Sequence, residues 1–207
     1  MHGFTWMLPA AVAAAASSGC RHDRLPPIPV ERYSDEQRQA VRAFAVDRGV
    51  PVSGPFVPLT RSPELMLAAK NMDDYFRSKG VLAPRIKELI ILVVCREWTQ
   101  QVEWQIHNPK ALEAGLSREA VAAIADGRRP ASLAEDEQTA YDVSLELLRY
   151  KRISDPTYQR AVATFGEQGM VELLAVNGYY MLLSTVMNGA RTAASGPVVE
   201  PLRPFPD

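Results

Sequence analysis

The sequence predicts an all-α domain, on three observations. Helix-starting Ser and Pro residues alternate with helix-stopping Gly residues at helical distances along the chain. Within "PRIKELIILVVCREW", Ile86, Leu89, Ile90, Val93 and Val94 recur at the spacing of one helix face. No stretch of useful length alternates apolar and polar residues as a half-buried strand does.

Taken in order, "RLPPIPVERY" (24–33) is a proline-rich lead-in, extended rather than helical. Ser34 with Gln37 forms a capping box for a first helix that Gly49 closes. "GVPVSGPFVPL" reads as a loop with three prolines. Ser62 as N-cap and Pro63 at the first helical position start a helix running to Lys79, with Gly80 as its stop. Pro84 opens the next. Ser117 caps a short helix ending at Gly127, and Ser132 with Glu135 suggests a second capping box for a helix to Lys151. Asp155 and Pro156 start a further helix ending near Gly166. The last, 168–190, is apolar on most faces and is expected in the core, with "MLLSTVM" (181–187) in core or subunit interface. Gly178 in its middle suggests a close helix approach. The expected division is a leader over 1–23, the lead-in, first helix and loop over 24–57, a helical domain over 58–191 and a proline-rich tail over 192–207.

Composition narrows the function classes. The 207 residues are 47% hydrophobic, enough for a core, and the net charge of −1 offers no basic surface for nucleic acid. Cys20 and Cys95 are too far apart in sequence and setting to frame a disulfide scaffold. Of three histidines only His107 is internal, so no metal site is expected. "MLPAAVAAAASSGC" is apolar and too short to span a bilayer. It reads as an export signal ending at Gly19-Cys20, with Cys20 as a lipid-anchored first residue of a bacterial periplasmic lipoprotein; the alternatives are a disordered leader and a cytoplasmic protein.

The chemistry concentrates in "CREWTQQVEWQIHNPKALEAGLS" (95–117). Glu103 and His107 stand four apart and share a helix face. On one straight helix Glu88 and His107 would lie about 28 Å apart. Thr99 is a good N-cap inside a polar interruption of the apolar stripe, so the chain is expected to reverse at Trp98-Thr99. That hairpin converges Glu88, Glu103 and His107 on one spot. An imidazole between carboxylates has the parts for proton transfer near neutral pH, although such a pair more often makes a plain salt bridge.

The string "RIKELIILVVCREWTQQVEWQIHNPKALEAGLSREAVAAI" (85–124) resembles the carboxymuconolactone decarboxylase family, within the alkylhydroperoxidase D-like superfamily, over roughly 58–191. The glutamate of its "R-x-x-E-L" helix is Glu88, its acid–histidine pair is Glu103 and His107, and its "ALEAGLS" phrase is 111–117. The peroxidase branch carries Cys-x-x-Cys-x-x-x-His here, whereas this chain has Gln100 and Glu103 in the cysteine positions. Without two thiols a disulfide cycle cannot run, and Cys95 on an apolar face is a buried small residue. A peroxiredoxin label would fit the superfamily only.

The resemblance implies an alkylhydroperoxidase D-like helical bundle and a homo-oligomer, from dimer to hexamer. It also implies a cofactor-independent decarboxylase for a small carboxylated lactone. In that scheme His107 carries the proton, Glu103 orients it and Glu88 is a second carboxylate. Arg85 or Arg96 would bind a substrate carboxylate by a bidentate fork. Trp104 would stack on a planar substrate, with packing between helices the more frequent use. Tyr179 and Tyr180 would present polar tips to a pocket, with Asn177 and Asn188 beside them. The alternatives are an antioxidant relative, for which Cys95→Ser would abolish peroxide turnover, and a non-catalytic binder of a small ligand.

Overall fold

The computed structural model describes residues 23–194 and 201–203, so the leader, its cleavage point and Cys20 lie outside the described residues. Among the described residues, eight α-helices follow a 3-10 turn at Val30–Arg32: α1 (Asp35–Arg48), α2 (Phe56–Leu59), α3 (Pro63–Ser78), α4 (Pro84–Glu97), α5 (Gln101–Glu113), α6 (Arg118–Ala125), α7 (Glu135–Tyr150) and α8 (Asp155–Ala190). No strand occurs among the described residues.

The caps explain most boundaries. Ser34 and Gln37 bond each other's backbone N–H in the expected box, and Gly49 closes α1 in the left-handed conformation. Ser117 accepts from Ala120 N at the start of α6. Two expectations need correction and a third holds in part. The loop after Gly49 contains the short α2, because Phe56 and Leu59 bury their side chains there. Ser62 is the N-cap of α3 before Pro63, as expected, but its side chain makes no cap bond. The box expected at Ser132 sits two residues later: Ala134 is the N-cap and its N–H donates to Glu137 Oε2 at 2.9 Å. The reason is Arg85 at the start of α4, which draws Asp136 and Glu137 toward it and sets where α7 begins.

Helix α4 is the axis of the bundle, packed against α5, α6, α7 and α8. Ile86, Leu89, Ile90, Leu92, Val94 and Cys95 are all but sealed from solvent, and the middle of α4, residues 89–95, is apolar on every face because it is covered on every face. Helix α8 is two helices in one run, broken at Gly166, whose φ of 71° lies in the left-handed region that favours glycine. That break is where the sequence expects one. Past it, Leu173, Val176, Leu183 and Met187 face the core.

The opposite side of α8 departs from expectation. Val171 is 64% exposed and Leu182 41%, and Gly178 between them meets nothing within 4 Å. Gly178 thus marks no close approach inside the chain. These three, with Thr185 and Gly189, form one uncharged exposed stripe along the helix. Helix α8 is also the helix among the described residues long and apolar enough to cross a membrane, yet 56% of that apolar window is buried within the bundle.

The chain reverses between α4 and α5, within one residue of the expected place. Trp98 ends α4, Thr99 takes a positive φ of 46°, and Gln100, not Thr99, is the N-cap of α5. Gln100 accepts from Val102 N at 2.8 Å through Oε1 and donates to Asn188 Oδ1 at 2.6 Å through Nε2. Asn188 Nδ2 in turn donates to Trp98 O at 2.9 Å. One asparagine of α8 therefore holds both sides of the turn.

Candidate active site

The reversal sets α5 against α4 and brings three side chains from two helices together. His107 Nδ1 lies 2.7 Å from Glu88 Oε2, and Nε2 lies 3.2 Å from Glu103 Oε2. All three are largely shielded from water. A neutral imidazole has one N–H and one lone pair, and a lone pair cannot face a carboxylate oxygen at such distances. Two protons must therefore lie on the two N···O lines. Either the imidazole is charged between two carboxylates, or it is neutral with one carboxyl protonated. Burial pulls the His107 pKa down, but hydrogen bonds and charge from Glu103 and Glu88 outweigh it, and the net shift is upward. The charged imidazole therefore persists to higher pH than in an open histidine.

Tyr180 of α8 completes the setting. Its ring stands edge-on to the imidazole with centroids 5.2 Å apart, and its Oη lies 3.5 Å from Nε2. Burial, with carboxylates nearby, pushes the Tyr180 phenol well above its usual pKa, so it stays neutral. Tyr179 stands at right angles to it, 5.3 Å away.

Cavities open on both sides of His107. The larger, about 570 Å³, is lined by Phe44, Phe56, Glu103, His107, Tyr179 and Tyr180 among others. The smaller, about 260 Å³, includes Glu88, Ile91, His107 and Tyr180. His107 lines both, as do Asp73, Arg77, Lys110 and Tyr180. In the larger cavity two buried polar atoms have no partner, Glu103 Oε1 and Tyr179 Oη. Both atoms are buried, and an unsatisfied buried group is costly, so a ligand group that reached either one would be favoured there.

The floor of this cavity comes from the N-terminal helices. Arg48 of α1 stacks over Phe44 and Phe56, 4.9 and 5.0 Å from the ring centroids, and pairs with Asp73 and Asp74 of α3 at 2.7 and 2.8 Å. Lys70 closes the network on Asp74 at 2.6 Å. Phe44, Phe56, Arg48 and Asp73 carry no sequence signal that ties them to His107; they meet it only through packing.

The three residues expected to bind substrate beside Tyr179 stand elsewhere. Arg85 makes a bidentate pair with Asp136, at 2.6 and 3.1 Å, and fixes α4 to α7. Arg96 is buried and donates to Ala125 O at 3.1 Å and Arg203 O at 2.7 Å, tying α6 and the chain's tail to α4. Trp104 is 2% exposed and packs in the core, because it lies on the face of α5 turned away from the cavity. Tyr179 and Tyr180 do line the cavity. Asn177 and Asn188 serve interhelical bonds, the former donating to Ser144 Oγ at 3.1 Å. Cys95 is fully buried, and burial first, then Glu103 and Glu88, raise its pKa far above that of a free thiol. Among the described residues no group of three or more His, Cys, Asp or Glu side chains is arranged to hold a metal ion.

Residues 63–146, from α3 into α7, match the model of the carboxymuconolactone decarboxylase family. The fold is the alkylhydroperoxidase D-like helical bundle. A crystal structure of the debrominase Bmp8, in a cysteine-to-alanine variant complexed with 2,3,4-tribromopyrrole, superposes with a TM-score of 0.66 at 11% identity, covering 85% of this chain and 94% of the other. A protein of unknown function from Agrobacterium tumefaciens, a putative antioxidant defence protein AhpD, gives a TM-score of 0.55 at 17% identity, covering 66% and 94%. At such identities these two show the fold alone. No curated protein matches.

Proposed function

We propose that the protein is a cofactor-independent acid/base enzyme of the carboxymuconolactone decarboxylase kind, acting on a small carboxylated lactone or related acid. The observation that carries this reading is the His107 imidazole held between Glu88 and Glu103 on the wall of a cavity of about 570 Å³. Decarboxylation of an unsaturated acid breaks one carbon–carbon bond. Carbon dioxide leaves, the electron pair moves into the conjugated system, and a proton must be added at a carbon further along. A charged imidazole supplies that proton, and the carboxylates at either nitrogen restore it from water. The aromatic walls (Phe44, Phe56, Tyr179, Tyr180) suit a flat ring. That a neighbour of the same fold is complexed with a brominated pyrrole supports a ring-shaped ligand here.

Carbon dioxide release across a panel of unsaturated lactone acids tests the reading. His107→Ala should abolish release while ligand binding persists. Binding of such acids with no release from any of them contradicts catalysis and favours the plain small-ligand binder. The thiol-based antioxidant reading is weaker, because Cys95 is sealed and its neighbours hold it protonated. We also propose self-association through the exposed α8 stripe around Val171, Gly178 and Leu182, which a second copy would cover. A monomer in sedimentation equilibrium would contradict that.

A further inference from the structure

We propose that Lys110 is the anion anchor of the larger cavity and fixes which end of a ligand faces His107. This deepens the acid/base reading and rests on it for the reaction, though not for the binding. Glu103, His107 and Lys110 are residues i, i+4 and i+7 of α5 and so share one stripe, about 10 Å long by helix rise. Exposure grows along it: Glu103 is 2% exposed, His107 6%, and Lys110 is half-buried at the mouth. All three line the larger cavity, and Lys110 lines the smaller one too.

The other cations on the larger cavity are committed. Arg48 is held by Asp73 and Asp74, and Arg77 by Asp73 at 3.2 Å. Lys110 makes no ion pair or side-chain hydrogen bond with any described residue. A compact ammonium at the mouth of a ring-sized apolar cavity recognises a carboxylate or similar anion. At the deep end the unpartnered Glu103 Oε1 accepts and Tyr179 Oη donates. A ligand hydroxyl at that end would donate to the glutamate or accept from the tyrosine. The ligand class is therefore a small flat ring with an acid group at one end and an oxygen substituent at the other. An ion pair on a leaving carboxylate would stabilise the ground state and slow its loss, so the acid group that Lys110 holds is one the reaction retains.

The test uses 4-hydroxybenzoate and its neutral counterpart 4-hydroxybenzamide as probes, with affinity read by calorimetry on the full chain at low salt. The wild type should bind the acid about tenfold more tightly than the amide, the weight of one charge-assisted hydrogen bond. Lys110→Met should erase that preference and leave the amide's affinity unchanged, and Lys110→Arg should restore most of it. Equal binding of acid and amide by the wild type, a preference that survives Lys110→Met, or no binding of either probe would each overturn the inference. Circular dichroism of each variant checks that the fold is intact. Lys110-dependent binding without carbon dioxide release from any acid would sink the decarboxylase reading alone.

Discussion

At the scale of single residues, His107 carries the account. Its folded pKa is raised above the ordinary 6.5, because the two carboxylates outweigh burial. A raised pKa means that the folded state binds the proton more tightly than the unfolded chain does. The resulting stability is fully present below about pH 6.5 and is lost as pH rises through the folded pKa. Thermal midpoints followed from pH 6 upward should therefore fall more steeply for the wild type than for His107→Gln. Parallel curves would mean that the imidazole gains nothing from Glu88 and Glu103. The identities and spacing of this triad were readable in the sequence. The arginines were misread: Arg85 and Arg96 can make forks, and they do, but toward Asp136, Ala125 and Arg203. A fork's target is set by tertiary packing, which a single sequence does not display.

At the scale of elements, the α4–α5 reversal decides whether the site exists. The polar interruption at 97–101 located the turn, but the expected Thr99 cap was off by one residue. Thr99 itself enters the left-handed region, which costs a non-glycine residue on the order of 1 kcal/mol, and Gln100 takes over the cap. Asn188, 88 residues from Gln100, offsets that cost by bonding both sides of the turn. Asn188→Ala leaves the Gln100 amide and the Trp98 carbonyl short of partners and should destabilise the protein by about 1–3 kcal/mol in urea unfolding. A loss under about 0.5 kcal/mol would show that the turn holds without α8. No local pattern linked Asn188 to the turn, since the contact exists only once α8 is packed.

At the scale of the whole molecule, the site is assembled from distant parts of the chain. The residues that match the family supply Glu88, Glu103, His107 and Lys110. The cavity they face is closed by Phe44 and Arg48 of α1, Phe56 of α2, and Tyr179 and Tyr180 of α8, all outside the matched stretch. Helix class and most boundaries were legible because caps and apolar spacing are local signals. The cavity was not, because its walls come from helices whose mutual placement is fixed only by the buried core of α4 and α8. The proposed acid/base residues thus lie in the matched stretch, while the aromatic walls of the cavity come from α1, α2 and α8.

The most direct test of the central claim is a nitrogen-15 NMR titration of the His107 ring, with resonances assigned by comparison with His107→Ala. The account predicts that both ring nitrogens stay protonated to higher pH than in an open histidine, so that the imidazole loses its proton only above pH 6.5. A single protonated nitrogen at pH 7, with titration at or below 6.5 as in an open histidine, would contradict it.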